Sequence, residues 1–248
     1  MEALERQIVN LHDFDVLTFD CYGTLIDWEA GILAALQPML TRVGITADAA
    51  LIAFAEQETA QEHETPDMIY SDLLTATHAR LARFWGEAAN AEADLRFGAS
   101  VGNWPAFADS PEALTYLKQY FRLMVLSNVD NLSFHGSAQR LGVTFDAVYT
   151  AQDIGSYKPD ARNFAYLKAR LAEQGIAQNR VLHTAQSLYH DHVPAYAAGF
   201  TTCWIDRRAG RAGGATKPPG GVFQYKFRFP SLAEMVAAHK AEAAALGR

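Results

Sequence analysis

Five short apolar runs, each followed by a helix-patterned stretch, limit what this chain can fold into more than any other feature. They are residues 15–19 (DVLTF), 122–127 (RLMVLS), 146–149 (DAVY), 180–183 (RVLH) and 200–205 (FTTCWI). Each is short and rich in strand formers, as expected for strands covered on both faces. The stretches between them carry helix punctuation. Ser110-Pro111-Glu112 opens a helix, with Ser at the N-cap and Pro in the first turn. Asn131 to Leu141 is a second, closed by Gly142. Lys158-Pro159-Asp160 leads into a third that reaches about Gln174 and Gly175, and a fourth runs from Leu188 to Ala198 before Gly199. This rhythm predicts an α/β fold: a Rossmann-like, doubly wound parallel sheet with helices on both faces.

The rhythm breaks once. Residues 28–104 contain no convincing strand and read as helices over about 29–43, 47–63, 66–85 and 88–97, with Gly44 and Pro66 between them. The expected division is therefore a core of 1–27 and 105–248, with an all-helical cap of 28–104 inserted after the first strand. The Gly/Pro/Ala-rich stretch 209–221 reads as a loop. Arg207, Arg208, Arg211 and Lys217 lie in or beside it, and solvation accounts for them better than an anionic ligand does. Residues 231–247 read as a Ser-capped, Ala-rich helix.

Composition narrows the functional classes. Half of the 248 residues are apolar and 20% are charged, enough for a large core without covalent staples. A net charge of −7 argues against nucleic acid, whose phosphates call for clustered cations, and is accounted for by solubility. Two cysteines, Cys21 and Cys203, make no disulfide framework and fit a reduced, cytoplasmic protein. The N-terminal MEALERQIVNLHDFD does not read as a secretory signal, and no apolar run is long enough to span a membrane.

In parallel α/β sheets, ligands bind beyond the carboxyl ends of the strands. The first strand ends at Asp20, followed by Tyr22, Gly23 and Thr24; the second ends at Ser127 and Asn128. Lys158 precedes a helix. The stretch HTAQSLYHDHVPA supplies His183, Gln186, Ser187, His190, Asp191 and His192. Two acids, a hydroxyl-amide pair and a lysine thus converge on one rim. His190 and His192 flank Asp191 but stand two apart, which turns them to different faces and suits surface or packing roles better than metal binding. His183 ends a strand and is expected inside. Cys21 is expected to be a small buried residue. Trp85 and Trp104 suit packing, whereas Trp28, at the joint of core and cap, is a pocket candidate.

The ordered set Asp20-Cys21-Tyr22-Gly23-Thr24-Leu25, Ser127-Asn128, Lys158-Pro159 and Asp191 resembles the four motifs of the haloacid dehalogenase superfamily over nearly the whole chain. With tyrosine at position 22, the first motif is similar to that of type II L-2-haloacid dehalogenases. Phosphatases of the superfamily usually place there an aspartate that protonates the leaving alcohol. The resemblance implies that Asp20 displaces halide from a small 2-haloacid, and that water then hydrolyses the Asp20 ester. It assigns catalytic roles to Asp20, Thr24, Ser127, Lys158 and Asp191. Thr24 and Ser127 would hydrogen-bond the Asp20 carboxylate. Cys21, Tyr22, Trp28, Asn128, Gln186 and Ser187 would contact a carboxylate substrate. No metal or cofactor is implied; magnesium enters only with a phosphatase alternative. The implied partners are a small carboxylate and halide, with no nucleic acid or membrane, and relatives of this kind are often homodimers.

Four positions depart from the pattern. Such dehalogenases carry an arginine about thirty residues past the nucleophile, whereas residues 43–79 here contain no Lys or Arg and Leu51 stands near that place. Aligned on Asp191, their Ser-x-Asn becomes Gln186 and Leu188. Phe164 stands where they have tyrosine. The alternatives are a hydrolase acting on a non-halogenated small molecule, whether a phosphatase or a ring-opening enzyme, and a catalytically silent binding protein on the same fold.

Overall fold

The computed structural model describes residues 9–209 and 218–247; Arg211, Lys217 and the first eight residues lie outside the described residues. Six strands form one parallel sheet: β1 (Val16–Phe19), β2 (Arg122–Ser127), β3 (Ala147–Thr150), β4 (Val181–Ala185), β5 (Thr201–Ile205) and β6 (Phe227–Phe229). Their order is β3-β2-β1-β4-β5-β6. All of β1 and β4 is buried, as is β2 beyond Arg122. Alternate residues feed two separate cores. Leu17, Phe19, Leu123 and Val125 join the larger cluster, while Val16, Met124, Leu126 and Val181 join the one around Phe164 and Leu167. The sheet is thus covered on both faces, which is why its strands read as continuous apolar runs.

Ten α-helices are described. The four that follow β1 are α1 (Trp28–Val43), α2 (Ala47–Glu64), α3 (Tyr70–Phe84) and α4 (Ala91–Gly98). The chain leaves and re-enters the sheet region at neighbouring points: Asp27 N–H donates to Pro105 O (2.8 Å) and Phe107 N–H to Leu25 O (3.0 Å). The remaining helices are α5 (Ser110–Leu117), α6 (Asn131–Leu141), the single turn α7 (Ala151–Ile154), α8 (Ala161–Glu173), α9 (Val193–Ala197) and α10 (Leu232–Ala245). No single helix among the described residues is long and apolar enough to cross a membrane.

Several boundaries differ from the sequence expectation for local reasons. Residues 66–69 are not helical; α3 begins at Tyr70, where the Asp130 carboxylate accepts from Ser71 N–H (3.2 Å). Asp130 also caps α6 through Ser133 N–H (2.8 Å), so one buried acid fixes two helix starts. Ser110 lies inside α5, and Asp109 holds the N-cap position. The segment expected as one helix over 188–198 opens with a π-turn, Leu188–His192, before α9. Strand β6 was not anticipated; it pairs Phe227–Phe229 with Cys203–Ile205 after the Gly/Pro-rich stretch.

A close backbone approach lies between α6 and the 3-10 turn Val101–Asn103. A Cβ on Gly136 would stand 2.4 Å from Gly102 O, which cannot rotate away, whereas a Cβ on Gly102 would meet nothing nearer than 3.5 Å. Gly136→Ala should therefore destabilise the protein by about 1–3 kcal/mol in urea denaturation, despite the better helix propensity of alanine. Gly102→Ala should change stability far less.

Candidate active site

Strand order reverses about β1, since β2 leads away on one side and β4 on the other. That switch point opens a cleft at the carboxyl ends of the strands. Asp20 follows β1, Ser127 ends β2, and Gln186 follows β4. At the centre lies Lys158, only 1% exposed. Its Nζ donates to Asp20 Oδ1 (2.8 Å), Asp191 Oδ1 (2.7 Å) and the main-chain oxygen of Leu126 (3.0 Å). An ammonium has three hydrogens, and all three are used. Asn128 holds the lysine's backbone: its Oδ1 accepts from Lys158 N–H (2.6 Å) and its Nδ2 donates to Lys158 O (2.9 Å).

Thr24 Oγ1 donates to Asp20 Oδ2 (2.7 Å) and accepts from Gln186 N–H (2.9 Å), which ties the end of β1 to the end of β4. The turn that carries Thr24 needs Gly23, whose φ is +92°; a Cβ there would stand 3.1 Å from Trp28 Nε1 and 3.2 Å from Gln186 Oε1. Asp191 Oδ1 also contacts His183 Nε2 (3.0 Å), while its buried Oδ2 has no protein partner among the described residues. Ser127 Oγ is likewise buried without a partner. It does not bond Asp20, contrary to the sequence expectation, so Thr24 is the hydroxyl that holds that carboxylate.

These contacts set the charges. Burial pushes the Asp20 pKa up, with the Asp191 charge adding to it and Lys158 opposing it. Burial acts the same way on Asp191, but Lys158 and His183 outweigh it and hold this carboxyl well below its usual range. Burial would lower Lys158, yet its two carboxylate partners hold it above the ordinary lysine value. Asp191 therefore stays ionised beside a charged lysine.

The cleft encloses roughly 680 Å³ of empty space including its mouth, a size suited to a small molecule. Asp20, Tyr22, Trp28, Ser127, Asn128, Lys158, Gln186, Ser187 and Asp191 all line it. Cys21 and Thr24 do not; Cys21 is fully buried, and its main-chain oxygen accepts from Leu25 (2.7 Å) and Ile26 (2.9 Å). Tyr22 presents its ring to the cleft, but its hydroxyl is turned toward α6, where it shares a hydrogen bond with Ser137 Oγ (2.8 Å). The opposite wall comes from α2, through Ala55, Glu58, Thr59 and Glu62, and from Tyr70, which donates to Glu58 (2.6 Å). The sequence reading missed this wall. The spacing 55, 58, 59, 62 is one helical face and was visible, but it mixes apolar, polar and acidic residues and so gives no amphipathic signal. His190 also lines the cleft, against the expected surface or packing role, whereas His192 is packed between Thr202 Oγ1 (2.8 Å) and Ala185 O (3.0 Å).

A divalent ion fits these residues poorly. The carboxylates of Asp20 and Asp191 converge on an ammonium, and among the described residues no group of three His, Cys, Asp or Glu is placed to hold a metal.

Comparison with known proteins places the arrangement. A model described as haloacid dehalogenase-like hydrolase matches residues 14–184. No curated protein matches the chain by sequence. Among solved structures, the L-2-haloacid dehalogenase from Xanthobacter autotrophicus with chloropropionic acid covalently bound is similar with a TM-score of 0.74–0.75 across two structures, the bound form at 16% identity over 92% of this chain and 98% of that one. A dehalogenase with an intermediate complex has a TM-score of 0.74 at 20% identity, covering 92% and 97%. A putative hydrolase of the same superfamily from Bacillus subtilis, bound to magnesium, has a TM-score of 0.69 at 19% identity, covering 91% and 98%. At these identities the likeness concerns the fold.

Lys158→Met should leave two buried carboxylates facing each other and cost about 3–5 kcal/mol at neutral pH. Without the ammonium, the folded-state pKa of the pair rises above the unfolded value. The penalty is then present above that unfolded value and shrinks as acidification neutralises the pair. Urea denaturation should show a smaller gap to wild type at pH 5 than at pH 8.

Proposed function

The chain belongs to the haloacid dehalogenase-like hydrolases, and from that premise we propose that it hydrolyses a small 2-haloacid to the 2-hydroxy acid through an ester on Asp20. The observation that carries this reading is at Tyr22. Two residues past the nucleophile there is no carboxyl to protonate a leaving alcohol, and the tyrosine hydroxyl is occupied with Ser137. Burial also pushes the Tyr22 pKa well above its usual value, so it is a poor acid. A leaving group that departs as a stable anion needs no proton.

In the first step the Asp20 carboxylate attacks the carbon bearing halogen, a C–O bond forms, and halide leaves with the C–X electron pair. Lys158 and Thr24 aim the carboxylate. In the second step water attacks the Asp20 carbonyl carbon and gives its proton to Asp191, whose Oδ2 is the unpartnered oxygen. Lys158 stabilises the charge that develops on the ester oxygen. Asp191 returns that proton to the leaving oxygen as the ester C–O bond breaks, the hydroxy acid departs, and Asp20 regains a carboxylate containing one oxygen from water, its remaining proton passing to solvent. Helices α1–α4 act as a cap that closes the cleft and excludes bulk water. The chain would act in the cytoplasm without a metal or other cofactor.

One observation favours a second reading. The cap wall brings Glu58 and Glu62 to the cleft, and residues 43–79 hold no Lys or Arg to receive an anion. That wall suits a neutral or cationic small molecule, opened or cleaved at carbon by the same Asp20 displacement. A silent binding protein would instead show no turnover and would retain a ligand through purification.

With 2-chloropropionate or haloacetates in the presence of EDTA, wild type should release halide and Asp20→Asn should release none. In 18O-water, a single turnover should place label in Asp20. Halide-free samples across the panel would reject dehalogenation; label in Asp20 on turnover of another small molecule would support the second reading.

A further inference from the structure

A buried histidine behind the site is left unused by this mechanism. His183 lies in β4, fully buried, and its Nε2 is 3.0 Å from Asp191 Oδ1. Its Nδ1 is 2.9 Å from Thr18 Oγ1 on β1, the residue paired with it in the parallel register. The ring of Phe164, on α8, packs edge-on against it at 5.1 Å between centroids. A sheet interior contains such a polar pair only when its hydrogen bonds are satisfied.

The ring can be oriented in one way. The Asp191 carboxylate only accepts, so His183 Nε2 must carry the hydrogen and donate. In the neutral ring, Nδ1 then accepts from the Thr18 hydroxyl. Asp191 Oδ1 thereby receives two donors, Lys158 Nζ and His183 Nε2. Its other oxygen, Oδ2, is left buried and unpartnered among the described residues. Lys158 alone would leave the carboxylate free to pivot about a single contact; the histidine fixes its plane.

We infer that His183 is a positioning residue that orients Asp191 for hydrolysis of the Asp20 ester, with Thr18 setting its tautomer. The inference rests on the two-step reading above, and it separates the steps. Lys158 serves both halves of the reaction, through its contacts with Asp20 and Asp191. Of the two carboxylates His183 touches only Asp191, so its loss should slow the second half and spare the first. A misplacement of about 1 Å at a reacting group costs on the order of 10²-fold in rate.

The test compares His183→Phe, which keeps an aromatic ring but removes the donor, with His183→Gln, whose amide restores a donor near Nε2. Single-turnover mixing with 2-chloropropionate or a haloacetate is followed by intact-protein mass spectrometry and halide release. In His183→Phe, halide should appear at the wild-type rate while the ester on Asp20 decays about 100-fold more slowly. His183→Gln should recover most of that loss. Equal slowing of both steps, or ester decay at the wild-type rate, would overturn the inference. Absence of halide and ester from wild type would reject the dehalogenation reading itself. The 15N spectrum of the His183 ring at pH 8 then decides separately: hydrogen on Nε2, with a shift in Asp191→Asn, supports the assignment, and hydrogen on Nδ1 overturns it.

Discussion

The structure depends on one buried ammonium. Taking Lys158 and two carboxylates out of water costs several kcal/mol per ion, and this is offset only when every donor is matched. The match is complete at Lys158: two carboxylate oxygens and one main-chain carbonyl for three hydrogens. It requires β1, β2 and the turn after β4 to deliver their ends to a single point, and it requires Asn128 to fix the lysine backbone. The trio still carries an excess negative charge. Thr24 and His183 share it by donating to the two carboxylates, so the polar shell of the site extends one layer into the sheet. Stability and chemistry are therefore coupled here. The group that makes the buried acids tolerable also keeps Asp191 ionised and aims Asp20.

The sheet accounts for the floor of the cleft, and the helices after β1 account for its roof. Asp130 and Tyr157 link the two. Asp130 caps both α6 and α3, and the Tyr157 hydroxyl donates to Met68 O just before α3 begins. These bonds fix the start of α3, and with it Tyr70, against residues outside the helical segment. A substrate thus meets a floor fixed by charge and a roof whose chemistry is set by one face of α2. Because floor and roof come from different parts of the chain, the roof can alter what the cleft admits without altering the lysine and carboxylates beneath it.

Sequence reading served the floor well, and the reason is physical. Strands buried on both faces are contiguous apolar runs, and a parallel sheet gathers their carboxyl ends, so Asp20, Ser127, Lys158 and Asp191 could be assigned to one rim before any coordinates. What was not legible depends on partners distant in sequence. Asn128 was expected as a substrate contact, yet both ends of its amide bond the Lys158 backbone, thirty residues on. Thr24 and Ser127 were both expected on Asp20; Thr24 is there, whereas Ser127 Oγ is buried without a partner among the described residues. The Asp191 carboxylate receives His183 from within the strand, a contact that no local pattern announces. Strand β6 was lost because the Gly/Pro-rich stretch before it reads as the end of regular structure.

The turn after β4 departs from ordinary helical geometry. Counting back from Asp191 puts Gln186 and Leu188 at the positions of the family's Ser-x-Asn, and neither residue suits. That count assumes ordinary helical geometry between strand and acid. Here the segment is a π-turn: His192 N–H as well as Asp191 N–H donates to Ser187 O, at 3.3 and 3.2 Å. A π-turn accommodates one extra residue, and such insertions are frequent at functional sites. Ser187 lines the cleft, and its Oγ accepts from His190 N–H (3.0 Å), which closes the turn. The π-turn thus sets Ser187 and His190 at the cleft while Asp191 reaches Lys158 at 2.7 Å. One turn therefore delivers both the acid that meets the ammonium and the polar residues that line the cleft beside it.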